Sequence, residues 1–209
     1  MTRPARVSPD RILAAAALEF SERGYAGARV DRIARRAKVN KAMLYYHFSS
    51  KQGLYRTLLR QTFGAVAIDL ERIAVSGLAP ADMLDQAIAA LATFIATHTY
   101  FPSIMLREVA DGGLHLDADT LGALASVPTA FGAILEPGIR QGVFRPMHPV
   151  AAYFTTIAPI LMFVASTPVR KQLSRRRLMP AAVPLLTPET FLEDLTESLQ
   201  RAFAAPVTT

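Results

Sequence analysis

The stretch VNKAMLYYHFSSKQGLY, residues 39–55, gathers the side chains best suited to chemistry on a polyanion. Five rings (Tyr45, Tyr46, His47, Phe48 and Tyr55) fall within seventeen positions, between and just beyond Lys41 and Lys51. Ammonium groups neutralise phosphate, and a tyrosine ring packs on sugar or a thymine methyl while its hydroxyl donates to phosphate. The plainer reading is packing between two helices, and spacing separates the two. On a helix over Lys41–His47, Leu44 and Phe48 lie four apart on one face, towards Ile33 and the first helix. Lys41 and Tyr45 share a second face, Ala42 and Tyr46 a third. Leu44 and Phe48 are therefore expected in the core, and Tyr45 and Tyr46 outside it.

A second constellation lies in HTYFPSIMLREVADGGLHLD. Glu108 and Asp111 are three apart, and His115 follows the Gly112–Gly113 break. Two carboxylates and an imidazole could hold a divalent metal. The loop between them leaves their spacing open, so they read better as helix-end and loop residues. No metal or other cofactor is expected. The four histidines, His47, His98, His115 and His148, are scattered, and there is no nucleophile motif or phosphate-cradling glycine loop. The chain has no cysteine, which removes disulfides, thiolate metal sites and cysteine nucleophiles together. An enzyme is not expected, although a helical enzyme remains the rival class.

The elements that must position these residues are all helical. Ser8 is a fitting N-cap, Pro9 opens the first helix, and Gly24 closes it. Ile12, Ala16 and Phe20 recur every four residues as its buried stripe. A short helix over about Val30–Ala37 follows, then the aromatic one. Ser49 with Gln52 reads as a capping box that starts a long fourth helix towards Ala74. Further helices are expected at roughly 80–98, 103–111, 117–141, 148–166 and 188–204. The stretch 167–187, rich in proline and arginine, reads as a separator. The fold class is all-α: a basic head of three helices plus the start of a fourth, on a larger helical body.

Charge divides the chain in the same place. Residues 1–66 hold 13 Lys+Arg against 4 Asp+Glu, and residues 67–209 hold the remaining 10 against 13. The polyanion-binding function is thus expected at the N-terminal end. The N-terminal apolar run is mostly alanine and meets Glu19 and Glu22, unlike a signal peptide. The uncharged run 149–169 is long enough to span a bilayer, but its prolines and hydroxyl residues favour a buried or subunit-contacting helix. A cytoplasmic protein with no membrane partner is expected.

Two short helices joined by a tight turn, the second aromatic and basic, fit a helix-turn-helix over about residues 29–48. GYAGARVDRIARRAKVNKAMLYYHFSSKQGL resembles the DNA-binding domain of the TetR family of bacterial repressors. The carriers are Gly24–Tyr25, Ile33–Ala34, Ala37, Val39, the LYYHF run and Lys51. The resemblance implies a DNA-binding domain over residues 6–66 and a ligand-binding and dimerisation domain over 67–209. It also implies a homodimer, a double-stranded operator with two half-sites, and a small-molecule effector. By the same resemblance Lys41, Ala42, Tyr45 and Tyr46 meet bases or backbone, His47 and Lys51 meet phosphate, and Asn40 caps the recognition helix. Arg29 stands where a capping Thr or Ser is common. It forgoes a cap of about 1 kcal/mol but brings a charged phosphate contact. Lys38 stands where glycine is common, so a positive φ there would be mildly strained. Arg3 and Arg6, ahead of the first helix, are candidates for a minor-groove arm or a plain tail.

For the body, the apolar pocket candidates are Phe63, Phe94, Met105, Phe131, Tyr153 and Met162, with His98, Arg107 and Glu108 as polar ones. Each reads as ordinary core before it reads as pocket, since the two share one sequence signature. The dimer is expected through the helices near 148–166 and 188–204, where Phe191, Leu192, Leu195, Leu199 and Phe203 form an apolar stripe. A ligand-free architectural DNA-binding protein is the alternative to a ligand-responsive repressor.

Overall fold

The computed structural model describes residues 8–178 and 186–206. Among these, ten helices follow in order: α1 (Pro9–Gly27), α2 (Val30–Ala37), α3 (Lys41–Phe48), α4 (Lys51–Ala74), α5 (Pro80–Thr97), α6 (Phe101–Ala110), α7 (Ala118–Arg140), α8 (Pro149–Ala165), α9 (Thr167–Arg175) and α10 (Pro188–Phe203). The described residues contain no strand, only an isolated antiparallel bridge between Phe144 and Ala204. Arg3 and Arg6 lie outside the described residues.

Two compact units emerge, and their boundaries fall within α4, between α5 and α6, and within α7. The first contains the described residues up to Phe63 together with Tyr100–Leu124, so α6 folds with α1–α3. Ser8 Oγ accepts from the Asp10 N–H at 3.2 Å and starts α1. Ile12, Ala16 and Phe20 are fully buried, as their spacing requires. Gly24, at φ 68°, breaks the regular helix before its last turn. Arg107 of α6 closes the helix from outside, donating from Nη1 to the Phe20 carbonyl at 3.2 Å and the Ser21 carbonyl at 2.7 Å. Carbonyls near a helix end lack intrahelical donors, so a guanidinium there is a favourable substitute.

The second unit contains Gly64–Thr99 and the described residues from Ala125 onward. Here α5, α8 and α10 pack on one another. Gln200 Nε2 donates to both Asp85 carboxylate oxygens at 2.7 and 2.9 Å, tying α10 to α5. Gly132 lets α7 approach the start of α8, since a Cβ there would lie 2.7 Å from Pro149 Cβ. By length and composition α7 is long and apolar enough to cross a membrane. Yet it places Val127, Ala130, Phe131, Ile134 and Leu135 in the core.

Two expectations are corrected. The stretch 167–187 is not wholly a separator: Thr167–Arg175 form α9, set at 45° to α8. Pro168 suits the first turn and Arg175 the last, which outweighs the stretch's polar composition. The cap of α4 is Ser50 rather than Ser49. Ser49 ends α3, donating its N–H to the Tyr45 carbonyl at 2.8 Å with φ 60°. Ser50 Oγ then accepts from the Gly53 N–H at 2.9 Å. With only two residues between helices, one must terminate and the other must start.

Candidate nucleic-acid interface

The basic surface is built by α2, α3 and the turn between them. Lys38 holds that turn in the left-handed region (φ 54°, ψ 47°) and donates its N–H to the Ala34 and Arg35 carbonyls. The strain expected of a non-glycine residue is therefore present. From the other side, Arg11 Nη2 donates to the Ala37 carbonyl at 2.9 Å, satisfying the last carbonyl of α2. Asn40 caps α3 as expected, its Oδ1 accepting from the Met43 N–H at 2.7 Å.

Along α3 the faces divide as the spacing requires. Leu44 and Phe48 are buried, while Tyr45 is 45% exposed and Tyr46 82% exposed. Lys41 and Ala42 are exposed beside them. A ring left that open contributes little to folding, so its apolar area remains available to a partner. The Tyr46 and His47 rings meet edge to face at 5.2 Å, which holds them on one side of the helix. Lys41 Nζ pairs with Asp31 Oδ1 at 2.5 Å, with both groups exposed. A pair so exposed is worth little in water and exchanges readily for a phosphate.

Arg29 precedes α2 and Lys51 follows α3, at the two ends of this segment. Arg29 is exposed and forms no side-chain cap on α2. Its backbone N–H is taken instead by Glu19 Oε1 at 3.2 Å, the same oxygen that accepts Arg32 Nε at 2.6 Å. Glu19 is 1% exposed, a buried carboxylate that replaces the missing cap and locks α1 to α2. Sequence reasoning missed it; the signal was an acid among alanines on the buried side of α1. Lys51 Nζ donates to the Ala28 carbonyl at 3.0 Å and the Ala26 carbonyl at 3.5 Å, and lies 4.5 Å from the Tyr25 ring centroid. Burial lowers its pKa. It braces the end of α1 and stays accessible enough to present charge.

Glu108, Asp111 and His115 do not assemble into a metal centre, and no group of three such ligands occurs among the described residues. Glu108 is buried and fully used: Oε2 accepts from the Tyr55 hydroxyl at 2.8 Å, and Oε1 from the His115 N–H at 3.0 Å. His115 Nδ1 lies 3.1 Å from Oε2. Burial and the hydrogen bond to Glu108 raise the Tyr55 pKa, keeping the phenol a donor. Asp111 is exposed at the end of α6.

The pocket candidates are dispersed. Phe63 meets Phe101 edge to face in the first unit, where Met105, Arg107 and Glu108 also lie. In the second, Phe94 stacks on His98 at 4.2 Å, Phe131 meets Tyr153 at 6.0 Å, and Met162 is 52% exposed. A cleft of about 1010 Å³ opens in that unit between α5, α8, α9 and α10, and none of the nine candidates lines it. It escaped sequence reasoning because one wall is α9, whose Ser-Thr-Pro start and basic end were the available signal.

Comparison with known proteins agrees with this geometry. Residues 12–58 match the family model for bacterial regulatory proteins of the tetR family, and residues 80–183 match the tetracyclin repressor-like C-terminal domain. The HTH-type transcriptional repressor NicS of Pseudomonas putida is 28% identical over 159 residues, 75% of each chain. IcaR of Staphylococcus aureus, a negative transcriptional regulator of the biofilm operon icaADBC, is 43% identical over 54 residues, 26% of this chain and 29% of its own. Among solved structures, the TetR family transcriptional regulator PfmR from Thermus thermophilus superposes with a TM-score of 0.67 at 22% identity. That likeness covers 92% of this chain and 98% of PfmR, and it establishes the fold.

Proposed function

The chain belongs to the TetR family of DNA-binding transcriptional regulators, and from that premise we propose that it is a repressor released from a palindromic operator by a small molecule. It is a regulator and not an enzyme. The observation that carries the reading is the outward face of α3, where Tyr45 and Tyr46 stand exposed beside Lys41 on a helix capped by Asn40. Residues 6–66 are assigned to DNA and residues 67–209 to effector binding and dimerisation, in the cytoplasm. Lys41, Ala42, Tyr45 and Tyr46 meet bases or backbone in the major groove, Arg29, His47 and Lys51 hold phosphates, and Asn40 caps the helix that presents them.

The dimer is assigned to α8 with α10. On α8 the exposed residues Ala151, Phe154, Thr155, Ala158 and Met162 form one uncharged stripe at helical spacing. Phe154 is 59% exposed, an apolar outlay suited to a second copy. The stripe foreseen on α10 is partly spent inside the protomer, since Leu199 and Phe203 are buried. A two-fold through α8 must set the heads about 34–36 Å apart, or a multiple, to meet successive grooves.

The effector acts by preferring a head spacing that does not fit DNA, and α4, which follows α3 after a two-residue link, carries the coupling. A 100-fold release requires about 2.7 kcal/mol of coupling. Selecting bound sequences from random DNA gives the operator. Effector affinity is then measured with and without it, and equal affinities contradict the switch because coupling is reciprocal.

A further inference from the structure

The cleft in the second unit, about 1010 Å³, stands at the top of the range of about 300–1,000 Å³ usual for small-molecule sites. Most of its wall is carbon: Ala96 from α5, Ile160 and Phe163 from α8, Leu173 from α9, and Phe191 and Leu192 from α10. The Phe163 and Phe191 rings stack with centroids 4.1 Å apart and planes within 6°. Against this wall stand Arg170 and Lys171. The half-buried Arg170 has only neutral partners among the described residues. Its Nη1 donates to the Phe163 carbonyl and, at 2.6 Å, to Ser166 Oγ. Its Nη2 donates to Thr167 Oγ1 at 3.2 Å, and the guanidinium lies 3.8 Å over the Phe163 ring. Lys171 forms no ion pair among the described residues, nor does Glu189, the carboxylate in the lining. Arg175, Arg176 and Arg177 extend the positive charge beyond the cleft. A cation held against an apolar wall by dipoles alone lacks its counter-ion.

We infer that this cleft binds an amphiphile, a single alkyl or acyl chain ending in an anionic head, carboxylate or phosphate. The chain lies along Ile160, Phe163 and Leu192, and the head meets Arg170 and Lys171. The assignment rests on the reading of the second unit as the effector-binding part and names the ligand class. It leaves the exposed stripe of α8 free. Ile160, Phe163 and Val164 face the cleft, whereas Phe154, Ala158 and Met162 lie on the opposite side of α8.

The test is calorimetric titration of the full chain with submicellar laurate, dodecyl phosphate, dodecanol and dodecyltrimethylammonium. The two anions should bind at least about tenfold tighter than the alcohol, and the cation not at all. Decanoate should be weaker than laurate by about three- to fourfold per missing methylene. Ala96→Phe, which fills the cleft, should abolish binding, and Lys171→Gln should weaken it about tenfold. Either anion binding best supports the assignment and identifies the head group. Equal binding of alcohol or cation overturns it, as does full anion binding by Ala96→Phe. If Ala96→Phe gives a monomer with anion affinity unchanged, a second copy fills the cleft and the assignment also falls. Operator affinity is recorded in parallel. Anions that bind as expected yet leave operator affinity unchanged uphold the cleft and contradict the switch, so the two failures are distinct.

Discussion

On α3 and on α8 the chain leaves large side chains open to water, with opposite surroundings. Beside Tyr45 and Tyr46 on α3 stand Lys41 and His47. Phe154 and Met162 share their stripe with Ala151, Thr155 and Ala158, and α8 carries no charged residue at all. Exposed rings set among cations suit a polyanion whose sugars and bases offer apolar faces between phosphates. Exposed apolar groups without charge suit a partner that is itself apolar at the contact, as a second α8 would be. Exposure alone is ambiguous; the charge beside it decides the partner.

The largest expected effect is on the uncharged side. Phe154→Asp places a carboxylate at the centre of the stripe. It should raise the dimer dissociation constant about a thousandfold, roughly 4 kcal/mol, as truncating a central hot spot can. Sedimentation velocity over a concentration series would check this, and an unchanged dimer would place the two-fold elsewhere. Next is the inward face of the recognition helix. Leu44→Ala should cost about 3 kcal/mol of stability in a denaturant melt, whereas Tyr46→Ala, two residues along on the outward face, should cost almost nothing.

A smaller effect is confined to alkaline pH. Burial pushes the Tyr153 phenol up to about 12, above the tyrosine value of about 10 in an unfolded chain. The folded state keeps that proton longer, so the contribution is complete below pH 10 and is lost as pH rises through about 12. Tyr153→Phe should remove up to about 2 kcal/mol of that loss, and chemical melts between pH 9 and 12 would measure it. Smallest is Lys51→Ala. Its bonds to the Ala26 and Ala28 carbonyls suggest a stability loss of about 1 kcal/mol. The salt dependence of DNA binding should flatten by about 0.9 per phosphate contact, or twice that per dimer. A slope identical to that of the unaltered protein would make Lys51 purely structural.

The head was legible because its information is local. Caps at Ser8 and Asn40, the Ile12–Ala16–Phe20 stripe and the Leu44–Phe48 pair each act within a turn or two of helix, at fixed spacings. Ser49 and Ser50 were confused because both suit a cap, and only the geometry of a two-residue link assigns their roles. What stayed hidden depends on contacts far apart in sequence. Glu19 reaches Arg29 and Arg32, Arg107 reaches carbonyls 86 and 87 residues away, and Glu108 is consumed by Tyr55. Glu108 and Arg107 look like pocket residues when their partners are invisible. The body offered no comparable spacing, since an apolar residue lining a cleft and one filling a core have the same sequence signature. The helix α9 illustrates the limit: its ends were marked, but its basic composition resembled a linker.

The central claim is that the outward face of α3 reads DNA, and one comparison tests it most directly. Operator and scrambled duplexes are titrated by fluorescence anisotropy at two salt concentrations with the unaltered protein and Tyr46→Ala, and both proteins are melted. The account predicts a loss of about 1–3 kcal/mol on the operator, a much smaller loss on scrambled DNA, and an unchanged melting temperature. Unchanged affinity for both duplexes with a lowered melting temperature would mean that Tyr46 serves the fold, and would contradict the account.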